Sequence, residues 1–371
     1  MTGIGKVLFV DPGTTYGQGG WQIARGACEG LRSLGVETEL FPLSARTELM
    51  RASFALLSGS GRKIDYDDAS IMDWTCGTLA ERALLFKPDL VLAMKGTRIS
   101  GGALAALRAA GIPAAAWTMD DPYELERYLL WAPGFDLIFS SEPRCLPVYE
   151  ACGFSAELLA HAHDPAVHKP DPAAAASENY ASDICFIGAA YPGRVRLLKA
   201  AAPFLAKHRT VLIGNWGAYR RDLPGIRVLD GFLPETEAVK FYSGAKIVLN
   251  MHRLPGECSE GSLDPEKIGA EGVNSRTFEI AGAGAFQLAD GSRKLLPAFF
   301  KPGREIETFS GVEELQAKLA RYLADDSLRA GIAAAGRRRA LAEHTYAHRM
   351  KRLLAAACAR RPEPARVGAA V

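Results

Sequence analysis

The stretch AEGVNSRTFEIAGAGAFQLAD, residues 270–290, decides how this chain is read. It opens on Glu271, reaches a second glutamate, Glu279, after seven intervening residues, and ends in the apolar run AFQLAD. Asn274 or Ser275 can cap a helix that starts there. Arg276 and Thr277 then fall in the first turn, where the helix dipole disfavours a cation. An anion beside Arg276 removes that conflict. Glu279 follows about one turn later, and a carboxylate there can accept two hydrogen bonds from a ribose diol. Gly282 and Gly284 lower helix propensity, and close packing of helix on sheet accounts for them without a ligand. The unit is a helix feeding a buried strand, and its polar start is either an ordinary cap or a grip on a charged ligand.

The same helix–strand rhythm runs outward in both directions. KVLFVD (6–11) and DLVLAMKG (89–96) read as buried strands, with helices over about 21–34 and 72–86; residues 44–70 give no clear period. Helices over 101–110 and 123–131 alternate with strands over 112–118, 136–141 and 156–161. The composition then shifts in HDPAVHKPDPAAAASENYASD (163–183), where Pro165, Pro170, Pro172 and an alanine run suggest a linker. After it the rhythm restarts with DICFIGA (183–189), TVLIGN (210–215), IRVLDGF (226–232) and KIVLNMH (246–252) as strands. Helices over 194–207, 235–243, 311–324 and 327–342 go with them, and 345–358 reads as a final helix. Alternation of this kind implies parallel sheets covered by helices on both faces. The expected fold class is α/β, with two Rossmann-like doubly wound domains facing a cleft. They span 1–165 and 180–342, followed by a helix at 343–358 and a tail at 359–371. Ligands then belong at the carboxyl ends of the strands.

Composition narrows the function classes. The chain has 371 residues, 48% of them hydrophobic, with a net charge of +2. That supports two cores and gives no sign of nucleic-acid binding. The seven cysteines are scattered without a CxxC pair, which reads as reduced thiols in a cytoplasmic protein. The N-terminus lacks a signal-peptide pattern, and no apolar run approaches the ~18 residues of a membrane span. Peripheral contact with a membrane and the oligomeric state stay open.

Four further stretches offer candidate chemistry. In DPGTTYGQGGWQ (11–22), Gly17, Gly19 and Gly20 let backbone amides approach a ligand ahead of a helix. The pattern is not GxGxxG, because Gln22 stands at the third position, so the loop is either a tight turn or a phosphate- or sugar-facing loop. In FIGAAYPGRVRLLK (186–199), Gly188 permits close approach and Arg194 can pair with a diphosphate. In WTMDDPY (117–123), Asp120 and Asp121 can act as general base, hold sugar hydroxyls or cap a helix. His161, His163 and Asp164 in AHAHDP put two imidazoles on one strand face, but no third ligand follows in sequence, and no metal site is expected.

DICFIGAAYPGR, GFLPETEAVKFYSGAKIVLN, GVNSRTFEIAGAGAFQLAD and EHTYAHRMKRLL occur in the order seen in CgeB-type proteins. WTMDDPY and LLAHAHDPAVHKP extend the likeness to residues 90–354. That family resembles GT-B glycosyltransferases of the family 1/4 kind. The resemblance implies a glycosyltransferase that takes a sugar from a nucleoside-diphosphate-sugar donor, such as a UDP- or GDP-sugar, to an unknown acceptor. It implies no bound metal and no cofactor. Donor contacts would come from Gly188, Arg194, Asn274, Ser275, Arg276, Thr277 and Glu279. Glu271 would lie near the reacting sugar, and the first domain, with Asp120, Asp121, His163 and the Gly17–Gly20 loop, would face the acceptor. The final helix would cross back to the first domain. The histidines of LLAHAHDP stand where the family more often has PxGxD, which leaves their roles open. A nucleotide-sugar epimerase and a non-catalytic binding protein are the alternatives on the same fold.

Overall fold

The computed structural model describes residues 3–11, 18–59, 66–94, 98–257 and 268–360. Among them, twelve strands form two six-stranded sheets, parallel throughout. The first half runs β1 (Lys6–Val10), α1 (Gln18–Ser33), β2 (Glu37–Phe41), α2 (Leu43–Gly59), α3 (Asp68–Phe86) and β3 (Leu90–Met94). It continues through α4 (Gly101–Ala109), β4 (Ala114–Thr118), α5 (Leu125–Trp131), β5 (Leu137–Ser140), α6 (Leu146–Ala151) and β6 (Ala156–Leu158). Its strand order is β2-β1-β3-β4-β5-β6.

After the short α7 (Pro172–Ala175) come β7 (Ser182–Ile187), α8 (Pro192–Leu205), β8 (Thr210–Gly214), β9 (Arg227–Asp230), α9 (Glu235–Gly244) and β10 (Ala245–Asn250). The deciding stretch supplies α10 (Arg276–Gly282) and β11 (Gln287–Asp290), followed by α11 (Leu296–Phe299), β12 (Glu307–Phe309), α12 (Gly311–Leu323), α13 (Asp326–Glu343) and α14 (Tyr346–Ala359). The second sheet is ordered β12-β11-β10-β7-β8-β9. Strand order reverses beside β1 in one sheet and beside β7 in the other. Those are the switch points where the carboxyl ends of the strands open a crevice.

The strands are apolar because both faces are covered. Along β1, Val7 and Phe9 pack with α1 and α14, and Leu8 and Val10 pack with α3 and α4. In the second sheet Ile184 and Phe186 meet α8 and α12, and Cys185 and Ile187 meet α9. This is the period-2 alternation of a sheet between two helical layers.

The last helix belongs to the first sheet's core. Tyr346, Met350, Leu353 and Leu354 of α14 are buried among Val7, Phe9 and Leu31. α1 accommodates them with glycine, since a Cβ on Gly30 would stand 2.8 Å from the Tyr346 carbonyl carbon and one on Gly26 2.6 Å from its ring.

Several boundaries differ from the sequence reading. Residues 43–59 are helical although no apolar period marks them. The first helix begins at Gln18, which puts Gly19 and Gly20 in its opening turn rather than in a loop. Gly17 lies outside the described residues. Residues 163–183 are a packed crossing, not a free linker. His163, Asp164, His168 and Ala174 are buried, and His163 exchanges backbone hydrogen bonds with His344 and Tyr346.

Candidate active site in the cleft between the sheets

The carboxyl ends of both sheets meet in a cleft of about 240 Å³. The first domain lines it with Met119, Asp120, Asp121, Tyr123, Ser141 and Glu142. The second contributes Arg194, His252, Arg253, Arg276 and Arg293, among others. Glu142 and Tyr123 bridge the two walls. Glu142 Oε2 accepts the backbone N–H groups of Glu271 (2.9 Å) and Gly272 (2.8 Å). Tyr123 Oη donates to the Arg253 carbonyl at 2.5 Å and accepts from Arg293 Nη2 at 2.9 Å. Gly272 has to be glycine here, because a Cβ would fall 2.5 Å from the Ser141 carbonyl oxygen.

The floor of the cleft is cationic and buried. Arg194 enters on α8, is 6% exposed, and donates from Nη1 to Ala189 O (3.0 Å) and from Nη2 to Met251 O (2.6 Å). Burial, then the nearby Arg276, lowers its pKa to about 10, so it remains a cation at neutral pH. Gly188 lies against it, 3.2 Å from Arg194 Nη1 to an added Cβ. Arg293 follows β11 and donates to Ala270 O at 2.7 Å and to Tyr123. His252, two residues past β10, bonds Asp290 Oδ2 through Nδ1 at 2.8 Å. Against the upward push of burial, the His252 contact and Ser292 hold Asp290 below the usual carboxylate range. The Nε atoms of Arg194 and Arg293 and Nε2 of His252 are buried without a hydrogen-bond partner among the described residues. A buried polar group left unpaired costs about 1–3 kcal/mol, so three around one floor call for a ligand.

A buried amide network sets the start of α10. Asn250, fully buried, donates to Thr277 Oγ1 (3.0 Å) and Gln287 Oε1 (2.6 Å) and accepts from Asn274 Nδ2 (2.8 Å). Asn274 Oδ1 in turn accepts the Thr277 N–H at 3.1 Å. Ser275 and Arg276 are thereby held at the cleft. Glu279 stands three residues beyond Arg276, on the same helix face, but its carboxylate does not line the cleft. It faces Glu235 at the start of α9 and His168, each with a ligand atom within 4.8 Å of the others. Neither carboxylate has a hydrogen-bond or ion-pair partner among the described residues. Burial first, and then the Glu279 charge, pushes Glu235 up to about 8. An imidazole with two carboxylates is also a donor set that can hold a divalent cation.

The remaining candidates are placed as follows. Asp121 is buried and accepts from Thr118 Oγ1 (2.7 Å), Ser140 Oγ (2.5 Å) and Tyr149 Oη (3.2 Å). Burial, opposed by those donors, pushes it up to about 6. Asp120 lines the first-domain wall. His163 is not brought to the cleft. Its ring is wholly buried against Gly282, where a Cβ would lie 2.4 Å from Nδ1, and burial lowers it to about 3. Glu271 lies beside the cleft with its carboxylate turned to Lys294 (2.9 Å) and Arg144 (3.9 Å). Sequence reasoning missed Glu142, Glu235, His252, Asp290 and Arg293. The signal for His252 was the pair of polar residues, Asn250 and His252, at the close of the apolar run KIVLNMH.

Comparison with known proteins agrees with this architecture. A family model described as glycosyl transferase-like matches residues 194–355. The spore protein CgeB of Bacillus subtilis is 30% identical over 267 residues, covering 70% of this chain and 80% of that protein. Sucrose-phosphate synthase from Thermosynechococcus elongatus superposes with a TM-score of 0.60 at 12% identity, over 94% of this chain and 97% of that one. Anabaena HepE, solved in complex with UDP-glucose, superposes with a TM-score of 0.59 at 12% identity, over 95% and 99%. The fold is therefore GT-B, and the chain belongs to the CgeB family of glycosyl transferase-like proteins.

Proposed function

We propose that this protein is a glycosyltransferase that takes its sugar from a nucleoside-diphosphate donor. The observation that carries the reading is the set of unpartnered buried nitrogens on Arg194, Arg293 and His252, with Arg276 beside them in the same cleft. Fixed cations in a water-poor site stabilise the charge that develops on a departing diphosphate. These side chains can do so without a metal ion. HepE, with the same fold, binds UDP-glucose, and a UDP- or GDP-sugar suits this site.

Glu279 and Glu235 are the proposed ribose contacts. A ribose diol brings two O–H groups to the Glu279 carboxylate and the neighbouring Glu235 carboxyl, which have no hydrogen-bond partner among the described residues. Asn274, Ser275 and Thr277 position that end of the site through the Asn250 network. Asp120, on the first-domain wall, is the carboxylate proposed to face an acceptor, and Glu271, beside the cleft, is proposed to lie near the reacting sugar. Gly188 keeps the floor open for Arg194, and Gly19 and Gly20 begin the helix behind the acceptor side.

A thermal-shift screen of nucleoside diphosphates and nucleotide sugars tests the reading, followed by donor consumption with and without EDTA. A stabilising nucleotide, turnover insensitive to EDTA, and weaker binding by Glu279→Ala are expected. Nucleotide affinity unchanged in Glu279→Ala would remove that residue from the donor site.

A further inference from the structure

The His252 ring faces both a carboxylate and the cationic floor. Its Nδ1 and its backbone N–H both bond Asp290 Oδ2. Asp290 is held ionised and can only accept, so the ring proton sits on Nδ1 and a neutral ring presents a lone pair at Nε2. That Nε2 is buried and has no partner among the described residues. The groups facing the ring are Asp290 at the end of β11, Arg293 in the loop that follows and Arg194 on α8. Arg276, and Glu142 and Asp120 from the first domain, line the same cleft.

A lone pair is the wrong group to offer a phosphate oxygen, and a protonated nitrogen is the right one. Burial and the two arginines keep the ring neutral in the free protein, against the pull of Asp290. A diphosphate reverses that balance. It brings negative charge to within contact of the arginines and removes their net opposition to a third cation. Asp290 then supports the imidazolium from behind, as second-layer carboxylates support charged histidines elsewhere.

We propose that His252 takes up a proton from solvent when a nucleoside diphosphate enters the cleft, donates its new Nε2–H to a phosphate oxygen, and returns the proton on release. This rests on the donor-site reading above and adds a coupling between pH and affinity. Nδ1–H stays on Asp290 throughout, so the only change is one proton gained at Nε2 from water or buffer.

Calorimetry on the full-length protein tests it. UDP, GDP, ADP and dTDP are titrated at pH 7.5, where the nucleotide's own phosphate is already ionised, in two buffers of different ionisation enthalpy. The enthalpy difference counts the protons taken up. Wild type is expected to gain between about half a proton and one proton more than His252→Gln. Its affinity should fall by up to roughly tenfold per pH unit between pH 7 and 8, against a flat profile for the variant. The wild-type count stands alone if the variant does not fold, and Asp290→Asn supplies a second test by removing the support for the imidazolium. Wild-type binding with no net proton uptake and a flat pH profile overturns the proposal. Absence of binding by all four nucleotides overturns the donor-site reading, and this proposal with it.

Discussion

Asp121→Asn is the perturbation with the clearest physical sign. The wild-type carboxyl is buried beneath the first-domain wall and accepts three hydroxyl donors, yet burial still pushes it from 3.8 to about 6. A raised carboxyl binds its proton more tightly in the folded state than in the unfolded one. Between those two values the folded protein therefore holds more protons, and stability falls as pH rises. Moving a carboxyl from 3.8 to about 6 corresponds to about 3 kcal/mol lost once the group is ionised in both states. Asparagine does not titrate, and the three hydroxyls can rotate to accept from its amide. The variant should match wild type most closely at pH 4 and gain on it by up to about 3 kcal/mol by pH 7.5. The assay is urea unfolding at a series of pH values, followed by tryptophan fluorescence, to which Trp117, buried on the preceding strand, contributes, with the m-value unchanged. Other titrating groups cancel in the difference. A difference that does not vary with pH would refute the argument that burial outweighs the three donors.

Asn250→Leu should cost about 2–4 kcal/mol, because Gln287 Oε1 and Asn274 Nδ2 lose their bonds to it; chemical denaturation reads the cost, and hydrogen exchange should show α10 opening first. Gly30→Val should destabilise by about 1–3 kcal/mol or more through overpacking, since its Cβ would stand 2.8 Å from the Tyr346 backbone; proteolysis should then release α14. Glu235→Gln should abolish a loss of stability that sets in as pH rises from 4.5 towards about 8, because burial first, and then Glu279, makes the folded carboxyl titrate late; melting temperature against pH checks it.

The doubly wound architecture was legible because strands buried on both faces are continuous apolar runs, as in LVLAM of β3 and CFI of β7. α2 was not legible. Its apolar residues Leu49, Leu56 and Leu57 are largely exposed, so no helical stripe marks it. The crossing at 163–183 looked like a linker because proline and alanine report local backbone preference. Its burial comes from elements distant in sequence: His163 pairs with the start of α14 about 180 residues on, and Val167, α7 and Tyr180 pack on α9. In the site, Arg194, Arg276 and Asp120 reach the cleft because each follows closely on a strand's carboxyl end or opens a helix there. His163 does not, although it also follows a strand, because α14 and Gly282 close over it. Glu142, Arg293 and the His252–Asp290 pair depend on which strand ends become neighbours, and a one-dimensional reading carries no such information.

We propose that the cleft holds a nucleoside diphosphate on its cationic floor. Arg276→Met tests it most directly, since Arg276 lines the cleft and has no hydrogen bond or ion pair among the described residues for the fold to lose. Calorimetric titration with the nucleoside diphosphate that most stabilises wild type should show affinity lowered roughly 10- to 100-fold, as for a lost charge-assisted hydrogen bond, with the melting temperature of the free protein unchanged. Equal affinity in wild type and Arg276→Met would contradict the account.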